Sequence, residues 1–185
     1  MQRFEFIETK LAGLKVVKRN PIGDNRGFLC RLFCAETFSH YGFSSISQVN
    51  HTLTMQRGTV RGLHYQLPPY AETKLVSCLQ GQIFDVALDL RKGSPTYLQW
   101  HAEILSAENH TSLLIPEGFA HGFQTLSDDC ELLYLHSMPY HQAAEAALNA
   151  IDPTLSVDWP AAITEMSDRD RSHPMLDGKF NGITL

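Results

Sequence analysis

Apolar and polar residues alternate along much of this chain, most cleanly where Phe84, Val86, Leu88 and Leu90 interleave with Asp85, Ala87 and Asp89. A period of two belongs to a strand with one face in a core. Leu79-Gln80-Gly81-Gln82, just before it, suits a hairpin turn. Lys92-Gly93-Ser94-Pro95-Thr96 marks a turn before a strand over 97–105, and residues 106–110 mark another. Ser127-Asp128-Asp129 then separates strands at 123–126 and 131–137. Many short strands at this spacing predict a sandwich or barrel. Helix signals are few: residues 35–41, closed by Gly42, and 142–147, whose alanines favour helix. Beyond Pro153 the pattern becomes irregular, through Trp159-Pro160 and the polar Ser167-Asp168-Arg169-Asp170, and this segment is expected to wrap the outside of the barrel.

Composition narrows the class. The chain has 185 residues, 43% of them hydrophobic, enough for one packed core, and no linker-like stretch divides it, so 1–185 reads as a single domain. A net charge of −5 gives no global basic field and argues against nucleic acid, while local Arg and Lys groups can still hold a small anionic ligand. No apolar run approaches the roughly twenty residues of a membrane span, and Met1-Gln2-Arg3-Phe4-Glu5-Phe6 does not resemble a signal peptide. The chain therefore reads as cytoplasmic, with no membrane partner. Cys30, Cys34, Cys78 and Cys130 lack Cys-x-x-Cys spacing and read as reduced core thiols.

Two segments carry the candidate chemistry, Arg61-Gly62-Leu63-His64-Tyr65-Gln66 and Pro116-Glu117-Gly118-Phe119-Ala120-His121-Gly122-Phe123. Strand alternation turns His64 and Gln66 into one cavity and sends Arg61, Leu63 and Tyr65 to the other side. Pro-x-Gly-x-x-His is the pattern of the second cupin motif, and His64-x-Gln66 falls where a metal-binding cupin usually has His-x-His. A neutral amide is a poor transition-metal ligand. The expectation is an all-β, cupin-type jelly-roll barrel with a few short helices and an irregular C-terminal segment, without metal or cofactor. Its histidines, with an ordinary pKa of about 6.5, would do acid–base work.

A family resemblance covers nearly the whole chain. Asp24-x-Arg26-Gly27-x-Leu29, Gln48-x-Asn50-His51, the two histidine segments, Lys74-Leu75-Val76, residues 84–89, Ser94-Pro95-Thr96, Asp152-Pro153 and Asp158-Trp159-Pro160 occur in the order seen in the dTDP-4-dehydrorhamnose 3,5-epimerases, which this chain resembles. The resemblance implies a jelly-roll homodimer that needs no metal. It also implies inversion of C3 and C5 of dTDP-4-dehydro-6-deoxy-D-glucose, a dTDP-linked 4-keto-6-deoxyhexose, toward dTDP-L-rhamnose.

Both hydrogens flank the C4 ketone, so epimerisation needs a base on one face, charge stabilisation at O4 and an acid on the other face. The resemblance assigns His64 as base, paired with Asp170, Lys74 near O4, and Tyr134 as acid. From the residues alone, Asp170 reads equally as a turn carboxylate, Lys74 as a solvated lysine and Tyr134 as a core tyrosine. His121 joins the substrate contacts, with a structural pairing to Asp85 as the other reading. Arg26 and Arg61 suit a diphosphate or a loop carboxylate, and Tyr140 matches an aromatic that stacks on the nucleotide base. Gln48, Asn50, Glu145 and Arg169 carry over as further substrate contacts.

Three departures stand out. Arg31 replaces a glutamate common in relatives, Tyr134-Leu135-His136-Ser137 replaces Tyr-Lys-x-Thr, and Ala150-Ile151 replaces an aromatic before Asp152-Pro153. They leave open the nucleotide base, the sugar and the number of inverted centres. A C3-only or C5-only epimerase, a metal-dependent cupin and a non-catalytic sugar-binding cupin are the alternatives.

Overall fold

The computed structural model describes residues 2–185 as thirteen strands and two short α-helices. The strands are β1 (Phe4–Glu8), β2 (Lys15–Arg19), β3 (Ile22–Asp24), β4 (Gly27–Leu29), β5 (Gln48–Thr54), β6 (Val60–Gln66) and β7 (Lys74–Gln80). They continue as β8 (Gln82–Asp89), β9 (Trp100–Ser106), β10 (Thr111–Ile115), β11 (Phe119–Thr125), β12 (Cys130–His136) and β13 (Glu145–Ala147). Helix α1 spans Ala35–Ser39 and α2 Asp168–Ser172. A six-stranded sheet in the order β1-β2-β10-β7-β12-β5 faces a five-stranded sheet in the order β13-β6-β11-β8-β9, and β3 pairs with β4 in a separate hairpin. This is a sandwich, as the strand spacing predicts, and the jelly roll that the cupin motif and the family resemblance imply.

Alternation sorts each strand into an inner and an outer set. Val76 and Cys78 of β7, Leu113 and Ile115 of β10 and Leu132 of β12 meet Ile83 and Ala87 of β8 and Phe119 and Phe123 of β11, all buried between the sheets. The intervening residues face outward but stay dry. Val86, Leu88, Leu63 and Tyr65 pack under Leu155, Met166, Ile183, Trp159 and Phe180, so the irregular C-terminal segment covers the five-stranded sheet. Bridges of Thr59 with Glu165 and of Arg91 with Ile183 fasten it there. The other outer face, with Leu75, Leu114 and Leu135, is covered by an aromatic group around Phe38 and Phe43. Each fully buried large apolar side chain contributes about 1.5–3 kcal/mol.

Several expectations need correction. The alanines at 142–147 do not form an α-helix: Gln142–Ala144 make one 3-10 turn, and β13 then pairs with β6, Glu145 opposite Gln66 and Ala147 opposite His64. Free ladder groups on the β6 edge outweigh the helix propensity of so short a run. The strand expected over 97–105 starts only at Trp100, because residues 94–99 are consumed by turns with Tyr97 N–H donating to Ser94 O and Gln99 N–H to Thr96 O. Near the predicted hairpin, Gly81 adopts φ +76, and a Cβ there would lie 2.6 Å from Ser127 Oγ. Helix α1 ends at Ser39, two residues short of the expected end, with Gly42 N–H donating to Ser39 O.

Candidate active site

The inner faces of the strands change character along their length. Toward one end of the sandwich they are apolar; at the other, Lys74, Tyr134, His136, His64, Gln66 and His121 replace the aliphatic residues and line a cleft of about 240 Å³. Gln48, Asn50 and Thr52 of β5, Glu72, Tyr140, Glu145 and Arg61 complete its wall.

Arg61 was expected on the opposite face from His64. His121 pairs with His64 but Phe123 pairs with Arg61, a register shift that sets two residues of β6 against Gly122. The extra residue reverses the alternation and turns Arg61 into the cleft. Glycine is required at both positions: a Cβ on Gly62, at φ +131, would meet Gly122 Cα at 2.5 Å. Leu63 and Tyr65 do take the outer side, as alternation predicts.

His64 Nε2 lies 2.7 Å from Asp170 Oδ1. The carboxylate arrives on α2, whose N-cap Ser167 accepts from Asp170 N–H, and Gly62 N–H reaches its other oxygen at 3.4 Å. Burial raises the Asp170 carboxyl, but the His64 hydrogen bond and charge, with Gly62 and His173, more than offset it and hold it below its ordinary value. A carboxylate fixed in this way orients the imidazole and stabilises its protonated form. With Nε2 engaged, Nδ1 is the nitrogen left to exchange a proton with a ligand.

The facing wall comes from the other sheet. Tyr134 stands on β12 between Asn50 and Val76, its ring 6.0 Å from that of His121. Burial pushes its phenol well up, with Asp85 adding and Arg61 opposing, so it keeps a transferable proton at neutral pH. Lys74 Nζ is 3.1 Å from Glu72 Oε1, and His136 Nδ1 is 2.8 Å from Glu72 Oε2. His121 Nε2 meets Asp85 Oδ1 at 2.7 Å, the pairing expected for a buried aspartate, while Asp85 Oδ2 has no hydrogen-bond partner among the described residues. Burial raises the Asp85 carboxyl and His121 opposes.

At the rim, Tyr140 N–H donates to Gln48 Oε1, Gln48 Nε2 to Asn50 Oδ1, and Tyr140 OH to Glu145 Oε2. Glu145 forms an ion pair with the exposed Arg169, which stands beside the cleft rather than in its wall. Arg26 is not brought to the cleft within the chain. It sits at the exposed β3–β4 turn, 2.5 Å from Asp24 Oδ2.

Gln66 is fully committed to backbone: Nε2 donates to Tyr70 O and Pro139 O, and Oε1 accepts from His141 N–H. Among the described residues, His64, Asp170 and His173 have possible ligand atoms within 4.8 Å of one another, but His64 Nε2 is already bonded to the carboxylate. Glu72 and His173 are not marked by the sequence, and His136 enters it only as part of a departure from the family pattern, not as a site residue. For His136 a signal existed, since it follows Tyr134 by two and must share its face; nothing in the sequence marked His173.

A jelly roll that holds an imidazole–carboxylate pair and a phenol on facing walls belongs to the cupin-type pockets built for proton transfer. The family model for dTDP-4-dehydrorhamnose 3,5-epimerase matches residues 8–178, and the chain belongs to that family. It is 40% identical over 173 residues to the dTDP-4-dehydrorhamnose 3,5-epimerase of Sinorhizobium fredii, covering 92% of this chain and 89% of that protein. The dTDP-4-dehydrorhamnose 3,5-epimerase of Bacillus anthracis, solved with TDP and PPi bound, superposes with a TM-score of 0.89 at 39% identity, over 94% of this chain and 99% of that one. A dTDP-6-deoxy-D-glucose-3,5-epimerase from Legionella pneumophila in complex with dTDP-4-keto-L-rhamnose also gives 0.89, at 36% identity, over 97% and 98% of the two chains.

Proposed function

We propose that this chain inverts C3 and C5 of dTDP-4-dehydro-6-deoxy-D-glucose through enolate intermediates, giving dTDP-4-dehydro-L-rhamnose. The observation that carries the reading is the division of labour between sheets: His64 looks into the cleft from the five-stranded sheet and Tyr134 from the six-stranded one. Inversion needs abstraction and reprotonation from opposite faces of the ring, and two walls supply two faces.

In this mechanism His64, held by Asp170, removes the proton next to the C4 ketone. The Lys74 ammonium stabilises the charge that develops at O4, where a donor in a cleft shielded from water acts more strongly than in solution. Tyr134 protonates the enolate from the far side. His121, fixed by Asp85, borders the sugar, while Arg61, Gln48, Asn50, Tyr140, Glu145 and Arg169 surround the nucleotide and its diphosphate. The reaction is redox-neutral, and proton transfer by these groups requires no metal or cofactor.

The protein acts as a homodimer. Phe28 and Leu29 of the β3–β4 hairpin are 66% and 63% exposed, and Val49 and Leu53 are exposed on β5, the free edge of the six-stranded sheet. An exposed apolar strand edge invites pairing with another chain. A second copy whose hairpin lies along β5 would bring its Arg26 to the mouth of the cleft, which explains why Arg26 is remote within one chain. Four free thiols support a cytoplasmic site of action, where thiols stay reduced.

The test is incubation with dTDP-4-dehydro-6-deoxy-D-glucose in deuterated water, read by NMR. Deuterium and inverted configuration at both C3 and C5 are expected. Inversion at one carbon alone would assign a mono-epimerase, and ligand binding without exchange would remove the enzymatic reading.

A further inference from the structure

The geometry points to Glu72 as the positioning residue for Lys74, held in turn by His136, so that the three side chains act as one unit at the ketone-facing wall. This rests on the reading of Lys74 at O4. Lys74 and His136 are directly opposite in the β7–β12 register, and Glu72 bridges them with one carboxylate oxygen each. All three side chains are about nine-tenths buried, yet all line the cleft. His136 is fixed from two further sides: Asn50 Nδ2 lies 3.5 Å from its Nε2, and the Tyr134 ring runs nearly parallel at 6.1 Å and 21°. This histidine fills the open position of the Tyr-Lys-x-Thr pattern, between the departures Leu135 and Ser137.

The physical need is clear. A lysine ammonium sits on a flexible four-carbon stem with three rotatable donors, so aiming it costs rotamer entropy. Catalysis by a cation at a developing oxyanion depends on that cation being fixed before the reaction. Glu72 engages one donor and leaves two for the ligand. It also supplies a counter-charge to a cation that is held out of solvent. The same carboxylate partly cancels the positive field at O4, so the two roles predict opposite effects of removing its charge: a screening anion slows the reaction, a positioning anion sustains it.

Beyond this unit, the charge of Asp85 acts on Lys74, and Arg61, His64, His121, Tyr134, Tyr140 and Glu145 line the same cleft. All of them are unchanged in Glu72→Gln, which keeps the shape but not the charge. We expect kcat to fall roughly ten- to hundred-fold, less than the 10²–10³-fold of losing an oxyanion donor outright, with KM little changed. The loss should fall on kcat and leave KM in place, because a cation that is misaimed at O4 still lines the pocket. A residue that merely held β7 to β12 would not separate kcat from KM in this way. His136→Asn, which retains a donor near Glu72, should keep more activity than His136→Phe.

The measurement is kcat and KM for these variants beside Lys74→Met, with circular dichroism to verify folding. Wild-type or increased kcat in Glu72→Gln, with Lys74→Met inactive, overturns the positioning role alone. Full activity in Lys74→Met overturns the reading of Lys74 at O4 and this inference with it. If Glu72→Gln does not fold, the ordering of the two His136 variants decides, and equal activity in both counts against the proposal.

Discussion

His64 and Tyr134 line the same cleft from opposing sheets, one on β6 and the other on β12. Neither strand pairs with the other. The gap between them is the space between the sheets, which elsewhere is filled by aliphatic side chains and here is left open for a ring with two accessible faces.

The base is the first point to test. His64→Asn should abolish solvent-deuterium exchange at both C3 and C5 while leaving dTDP binding by calorimetry largely intact, because the nucleotide contacts lie on other residues. Asp170→Asn should cost less than the about 10²–10⁴-fold that a positioned base contributes, since the imidazole remains. Exchange at the wild-type rate in the His64 variant would make His121 the next candidate.

Removing the Tyr134 hydroxyl should separate exchange from inversion. In Tyr134→Phe the base still forms the enolate and returns a proton, now mixed with solvent deuterium, to the face it left. Recovered substrate should carry deuterium with retained configuration, and epimer formation should fall by about 10²–10⁴-fold. Near-normal epimer formation would return Tyr134 to the role of a core tyrosine.

Exhaustive chelation should leave activity unchanged. Gln66, at the position of a ligand in metal-binding cupins, has both ends of its amide bonded to backbone. Loss of activity on chelation, restored by stoichiometric iron, zinc or nickel, would overturn the acid–base mechanism.

Asp89 offers a stability test away from the cleft. It is buried and accepts from Arg91 Nε and N–H, Ser94 Oγ and Thr96 Oγ1. Burial raises its carboxyl, but these donors outweigh burial and bring it down to about 2 from 3.8. A depressed carboxyl stabilises the fold fully above its unfolded value and loses that contribution as pH falls toward the folded one. Asp89→Asn should therefore destabilise by on the order of 1.5–3 kcal/mol at pH 7. In urea titrations the difference from the native chain should shrink between pH 3.8 and about 2. A difference independent of pH would mean that shape, not charge, holds this turn.

The sequence by itself determined what is local or periodic. Alternation in Phe84–Val86–Leu88 fixed a strand, although both of its faces are covered, the turn residues after Leu90 and at 127–129 fixed strand ends, and Trp159-Pro160 marked a segment that lies outside the sheets. The ordered motifs also named His64, Lys74 and Tyr134, which do meet in one cleft. Tertiary structure decided the rest. Whether 142–147 became helix or strand depended on a free edge of β6, a partner far away in the chain. Arg61 entered the cleft because Gly62 and Gly122 approach too closely for side chains and break the alternation on which any one-strand reading relies. Glu72 meets His136 from the loop before β7, because the β7–β12 register sets Lys74 opposite His136, and Asp170 reaches His64 across 106 residues. Pairings of this kind are set by packing and by closure of long loops, whose pattern leaves no period in the sequence to read.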